Sequence, residues 1–196
     1  MVDNSRIRSA TLILVRLKRT TKDDIKQAFI LLLSKNNLND ISVSQLTKKA
    51  GINRSTFYLN YIDKEDFLQQ LKEKTMQDIA EILERKKGNP QTALEEVLTY
   101  FTENISLFSQ IAQKHEFSFA DNVRSFINGV IEGTPSSVPV IVDTFKMPKR
   151  YAINMFVSGF IGVITEWLIK GAQESPQELT KIIMNTPSMV WFSGKG

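Results

Sequence analysis

Cysteine is absent from the 196 residues, which excludes disulfides, thiolate zinc sites and a cysteine nucleophile. A disulfide-free chain suits a reducing cytoplasm. Histidine occurs once, as His115, beside Glu116. A zinc site needs more ligands of the right type, and none is spaced to help. A serine-histidine-carboxylate triad lacks both a choice of base and a nucleophile elbow. No glycine loop of phosphate-cradling spacing appears, nor any repeat or low-complexity tract. The reading is therefore of a protein with no catalytic residues, no metal and no cofactor.

Secretory and membrane signals are also thin. The apolar run at residues 10–15 is too short for a signal h-region and leads into Arg16, Lys18 and Arg19. The stretch 152–169 has about the length of a span, roughly 20 residues. It also carries Asn154, Ser158, Thr165 and Glu166, and a carboxylate facing lipid is costly. It reads as a buried helix of a soluble, cytoplasmic protein with no membrane partner.

What the chain does have is an ordinary apolar content, 42% with 23% charged residues, sufficient to bury a real core. Its net charge of +4 is unevenly spread. Residues 1–60 hold 11 Lys or Arg against 4 Asp or Glu, and the remainder 14 against 17. A basic front ahead of an acidic body suggests a polyanion contact, or else only a solvated basic face.

Periodicity is helical wherever it is clear. Ile25, Ala28, Phe29, Leu32 and Leu33 recur at amphipathic spacing, with Thr21 and Asp24 approximating a capping box. Ser42 with Gln45, Asn53 and Asp63 cap the next helices, over 43–50, 54–60 and from 64 to about 87. Pro90 restarts the chain after Gly88. Behind it the pattern predicts helices near 91–113, 118–131, 148–172 and 176–186, with a loop over 133–139. Residues 138–145 suit either a short helix or an irregular link. The expected fold is all-α. A basic N-terminal arm, 1–19, precedes a three-helix domain with a helix-turn-helix, 20–70. A helical ligand-binding and dimerisation domain, 71–196, follows. The arm is also open to reading as an extension of the first helix or as residues upstream of the natural start.

The informative stretch is 42–64, SVSQLTKKAGINRSTFYLNYIDK. Two short helices flank Gly51-Ile52-Asn53, and Gly51 supplies a permissive turn. Leu46, Ala50, Ile52 and Phe57 sit where crossed helices must touch. Asn53, Arg54, Ser55 and Thr56 open the second helix, the end that enters a major groove. Thr47 sits inside the first of these helices, where its hydroxyl needs a partner such as a carbonyl one turn back.

With those residues in place, the segment from about 20 to 71 resembles the DNA-binding domain of the TetR family of regulators. The matching pieces are Ile41-Ser42-Val43, Ala50-Gly51-Ile52, Ser55-Thr56-Phe57-Tyr58 and Asp63-Lys64-Glu65-Asp66-Phe67-Leu68. A softer echo runs from Gly159-Phe160-Ile161-Gly162 through Trp167 and Gly171 to Ser175-Pro176-Gln177-Glu178-Leu179. It is similar to the last helix pair of Gram-positive members, including the dihydroxyacetone kinase regulator group. Asn60-Tyr61 departs from the common His-Phe.

The resemblance implies double-stranded DNA as partner, through a palindromic operator. Arg54, Ser55 and Thr56 would face base edges, with Asn53 near the backbone. Tyr58, Asn60, Lys64, Ser42 and Ser44 would reach phosphate. Tyr61 reads better as core, Ser42 is a helix cap in any case, and Lys64 would otherwise be solvated. The resemblance also implies a small-molecule effector, whose ligand-binding residues the sequence leaves unknown among the many aromatics behind residue 90.

A homodimer follows from the two-fold economy of operator reading. Phe156, Gly159, Phe160, Gly162, Val163 and Trp167 are its expected seam, because apolar residues ring that helix. Repression relieved by the effector is the expected mode. The alternatives are activation or co-activation with a protein partner, or a helical interaction protein that does not bind DNA.

Overall fold

A computed structural model describes residues 20–114, 117–134 and 136–186. The predicted arm, 1–19, lies outside the described residues. All regular structure among the described residues is helical. The chain divides into two compact units between Lys72 and Glu73.

The first unit begins with α1, Thr21–Leu33, then a 3-10 turn, Leu38–Asp40. Next come α2, Val43–Ala50, and α3, Arg54–Tyr58. The long helix α4, Lys64–Arg85, starts in this unit. Each start has a visible cause. Thr20 and Asp23 form a reciprocal capping box, one residue ahead of the Thr21–Asp24 pair expected from sequence. Thr20 is the extended residue (φ −84°, ψ 160°), whereas Thr21 already lies in the helix. Ser42 and Gln45 make the expected box on α2. Asp63 accepts from the Asp66 amide at 2.8 Å. Such caps satisfy donors that a helix start leaves orphaned.

Gly51 ends α2 in the left-handed region (φ 69°, ψ 31°), and the Ile52 amide bonds back to the Thr47 carbonyl at 3.0 Å. This is the glycine-terminated helix end expected of a tight turn. The Thr47 hydroxyl finds the Ser44 carbonyl at 3.2 Å, three residues back. The helix α3 stops at Tyr58 rather than Asn60, because the Asn60 side-chain amide donates to the Thr56 carbonyl at 2.9 Å.

α1 packs on α2, and α2 on α3. The shared core holds Ile25, Phe29, Leu33, Ile41, Leu46, Phe57 and Phe67. An aromatic chain runs through it. Phe57 meets Tyr61 at 5.3 Å between centroids, Tyr61 meets Phe67 at 5.2 Å, and Phe67 meets Phe29 at 5.3 Å. Each such pair contributes about 0.5–1.5 kcal/mol beyond the area it buries.

The second unit holds the rest of α4, then α5, Pro90–Glu103, and α6, Ile105–Gln113. It continues with α7, Phe119–Glu132, α8, Ser137–Phe145, α9, Lys149–Ile169, and α10, Pro176–Met184. The single helix predicted over 91–113 is broken at Asn104 (φ −114°, ψ 24°). The Asn104 side-chain amide donates to the Tyr100 carbonyl at 3.0 Å, the local competition with helix bonding that asparagine favours. The ambiguous 138–145 stretch is helical, and its helix takes in Ser137 and Pro139 from the predicted loop.

α9 is the pivot of this unit and packs against α6, α7 and α8. Ala152, Val157 and Ile161 join one apolar cluster with Ile131 and Ile141. Ile164, Trp167 and Leu168 join another with Leu98, Phe101, Phe108 and Leu179. The Trp167 indole donates to the Glu174 carbonyl at 3.0 Å, which ties the α9–α10 turn to the core. By length and composition α9 is also apolar enough to cross a membrane, with a mean hydropathy of 1.6 and a third of that stretch buried.

Gly51 gives a sharp test of the turn. Nothing lies within 4 Å of a Cβ added there, so Gly51→Ala meets only the cost of a left-handed alanine, roughly 1–2 kcal/mol. Denaturant unfolding followed by circular dichroism should show that loss. An unchanged midpoint would mean the turn is not held in that conformation.

Candidate nucleic-acid interface

The burial of Phe57, fully excluded from solvent, fixes how α3 is presented. Arg54, Ser55 and Tyr58 are then exposed, Asn53 is exposed ahead of them, and Thr56 is half-buried. Tyr58 is 49% exposed with its ring edge-on to Phe57 at 5.6 Å. Its hydroxyl accepts from an Arg54 guanidinium nitrogen at 3.4 Å. The pair is a short polar stack along the exposed side of the helix. Asn53 is the N-cap residue of α3, as expected, and its carbonyl accepts from the Thr56 and Phe57 amides, but its side chain makes no cap bond.

Ser42 and Ser44 are exposed at the start of α2. The Ser42 hydroxyl is used in its capping box, donating to Gln45 at 3.0 Å. Lys48 and Lys49 are exposed in the last turn of α2. The motif reading did not single them out, although they stand two and three residues before the turn glycine.

Two expected contacts are differently placed. Lys64 donates to the Leu38 carbonyl at 3.2 Å and lies 3.9 Å from Glu65, with its side chain only 15% exposed. It ties the start of α4 to the 3-10 turn instead of reaching outward. Asn60 is half-buried, with its amide spent on Thr56 and its carbonyl 3.5 Å from the Gln70 amide. Both are scaffold for the helix pair. Tyr61 is core, as its sequence context suggests. Burial pushes its phenol pKa up, with Asp66 and Asp23 adding to the shift. Lys22 stands 5.4 Å over its ring.

The expected dimer seam divides. Trp167 is 3% exposed within its own chain. Phe156 and Phe160 are half-buried, stacked at 6.5 Å, and turned to the interior. These three belong to the core of the second unit, which accounts for most of the ring of apolar residues on this helix. Gly159, Gly162 and Val163 are exposed, on one side of α9 with Tyr151, Met155 and Ile169. Nothing lies within 4 Å of a Cβ built on either glycine.

Phe156 and Phe160 instead line a cavity of about 230 Å³. Its walls are Met76, Ile79 and Leu83 from α4, Ala93, Val97 and Phe101 among others from α5, Val123, Phe126, Ile127 and Val130 from α7, and Ile164 from α9. Every lining residue is apolar. Among the described residues no group of three or more His, Asp or Glu is placed to hold a metal. His115 and Glu116 fall outside them.

A family model described as the transcriptional regulator C-terminal region, of the TetR class, matches residues 88–187. The chain is similar to an uncharacterized HTH-type transcriptional regulator of Bacillus subtilis, YxbF, with 30% identity over 162 residues. That match takes in 82% of this chain but 43% of the relative's own length. Two solved structures share the fold. The dihydroxyacetone kinase operon activator DhaS has a TM-score of 0.53 at 24% identity, over 84% of this chain and 92% of that one. The fatty acid degradation regulator FadR from Bacillus halodurans has a TM-score of 0.56 at 22% identity, over 87% and 96%. With a helix-turn-helix in front and the matched helical region behind it, this chain belongs to the TetR family of transcriptional regulators.

Proposed function

We propose that this protein is a sequence-specific DNA-binding regulator that works in the cytoplasm as a homodimer on a palindromic operator. The observation that carries the reading is the presentation of α3. Phe57 is locked in the core while Arg54, Ser55 and Tyr58 are exposed around it. Arg54 brings a planar fork that matches the O6 and N7 edge of guanine. Lys48 and Lys49, exposed across the turn, add charge suited to phosphate. One such helix reads few bases, and a two-fold pair doubles the contact.

The exposed side of α9, through Met155, Gly159, Gly162, Val163 and Ile169, supplies the surface for pairing. Its small residues let a partner backbone approach closely.

The mode is repression, released when a small effector enters the second unit. The apolar cavity supports that role and narrows the chemistry, since every hydroxyl taken into it unpaired costs about 1–3 kcal/mol. A hydrocarbon chain or ring suits it, and a polyol does not. Activation is the alternative mode, the one that DhaS, an operon activator of the same fold, carries in its name.

Selection of binding sites from a random duplex library with the full-length protein tests the reading. Recovery of a palindrome, bound in a salt-dependent manner, is the expected result, and failure to enrich any sequence removes it. Against the selected site, Arg54→Ala should lose about 1–3 kcal/mol relative to scrambled DNA. Lys64→Ala should instead lower folding stability by roughly 1–3 kcal/mol, with little change in the salt slope of binding. If Lys64→Ala flattens that slope while leaving the melting curve alone, its tie to Leu38 is not what holds it.

Gly162→Leu should weaken pairing by about 1–3 kcal/mol through overpacking of the seam, without unfolding the monomer. Sedimentation at several concentrations measures this, and a full-strength dimer in the variant would place the seam elsewhere. The cavity is tested by thermal melts with 1-decanol and with dihydroxyacetone. Decanol should stabilise the fold, by about 2.7 kcal/mol at a hundredfold excess over Kd, and dihydroxyacetone should have no effect. Equal responses to the two would rule out the apolar assignment.

A further inference from the structure

Leu59 is 85% exposed, directly after α3. Its backbone keeps the helical conformation (φ −72°, ψ −20°), and its amide donates to the Ser55 carbonyl at 3.0 Å. A helix turns 100° per residue. Ser55 and Leu59 therefore lie one above the other, on the side of the helix opposite the buried Phe57. Arg54 and Tyr58 lie together on one side of that line. Leu59 is far more exposed than its neighbour Tyr58, 85% against 49%, and it is apolar. Leucine neither donates nor accepts a hydrogen bond, so any information it reads must come through shape and apolar contact.

The surroundings specify what it faces. Lys48, Lys49 and Arg54 are exposed around the motif, a cationic setting that suits a polyanion. Within the major groove of duplex DNA, one base alone offers an apolar group on its edge, the C5-methyl of thymine. We propose that Leu59 is a specificity-determining residue that reads a thymine methyl group in each half of the operator, alongside the hydrogen-bonding residues Arg54 and Ser55. The proposal rests on the DNA-binding reading above and adds a residue that the helix-turn-helix pattern does not mark.

Uracil is thymine without that methyl, so it isolates the contact. The best duplex from the random-library selection is remade with deoxyuridine at one thymidine position at a time, symmetrically in both half-sites. Wild-type protein should lose about fourfold in affinity per methyl at one position, the value expected for one buried CH₂ or CH₃ group. Leu59→Ala should bind the parent site more weakly and lose its response at that position, while keeping any response at other thymines. Leu59→Gln keeps a good helix former at the exposed site and replaces apolar contact with an adenine-reading amide. On reselection it should change the preferred base there.

Circular dichroism melts of both variants should match wild type, because the side chain contributes nothing to the core. Wild-type binding that ignores uracil at every position overturns the proposal and leaves DNA binding standing. So does a Leu59→Ala protein as uracil-sensitive as wild type at each thymine. Concentration-dependent self-association lost in Leu59→Ala, with uracil response retained, would show that a second copy of the chain covers the residue instead. Selection that enriches no sequence removes the DNA-binding reading, and this assignment falls with it.

Discussion

The burial of one phenylalanine governs the reading end of the molecule. Phe57 sits in a chain of rings through Tyr61 and Phe67 to Phe29, and α3 has only five residues to hold itself in place. So short a helix is marginal alone, since helical stability in short segments comes from packing. Its rotation is therefore set by Phe57, and with it the direction of every side chain offered for recognition. Lys64 and Asn60 serve the same constraint from outside the ring chain. One ties the start of α4 to the 3-10 turn, and the other closes the end of α3. The groups expected to touch DNA and the groups that aim them are thus interleaved in the sequence.

That interleaving explains what was legible. The all-helical fold, the Ser42–Gln45 box, the turn at Gly51 and the core role of Tyr61 follow from local rules of capping, backbone freedom and periodicity. The errors arise where two local rules compete. Thr20 and Thr21 are chemically identical caps, and only the backbone decides between them. Asn104 sits inside an apolar period that runs on through it, and its side chain breaks the helix by bonding backward. Lys64 is a different case: its charge suits phosphate, and the Leu38 carbonyl to which it donates lies 26 residues away in sequence, beyond the reach of any local rule.

The second unit shows the limit of reading circumference from sequence. Apolar residues surround α9 because three neighbouring helices and a cavity need them, so a full apolar ring did not require a partner chain. An outward role is marked by smaller features: Met155, Val163 and Ile169 are exposed, and two glycines between them look onto open space.

Those glycines also set where α9 is intrinsically weakest. Each glycine in a helix interior costs about 0.8–1.0 kcal/mol relative to alanine, and here the two fall within one turn, on the solvent side, at the middle of a 21-residue helix. The opposite side of the same turn is pinned by Val157, Ile161 and Ile164. Backbone amides around that turn should therefore exchange with solvent deuterium sooner than those of the flanking turns. Whatever covers the face would slow them, so the centre of α9 carries a built-in isotopic marker of its own occupancy.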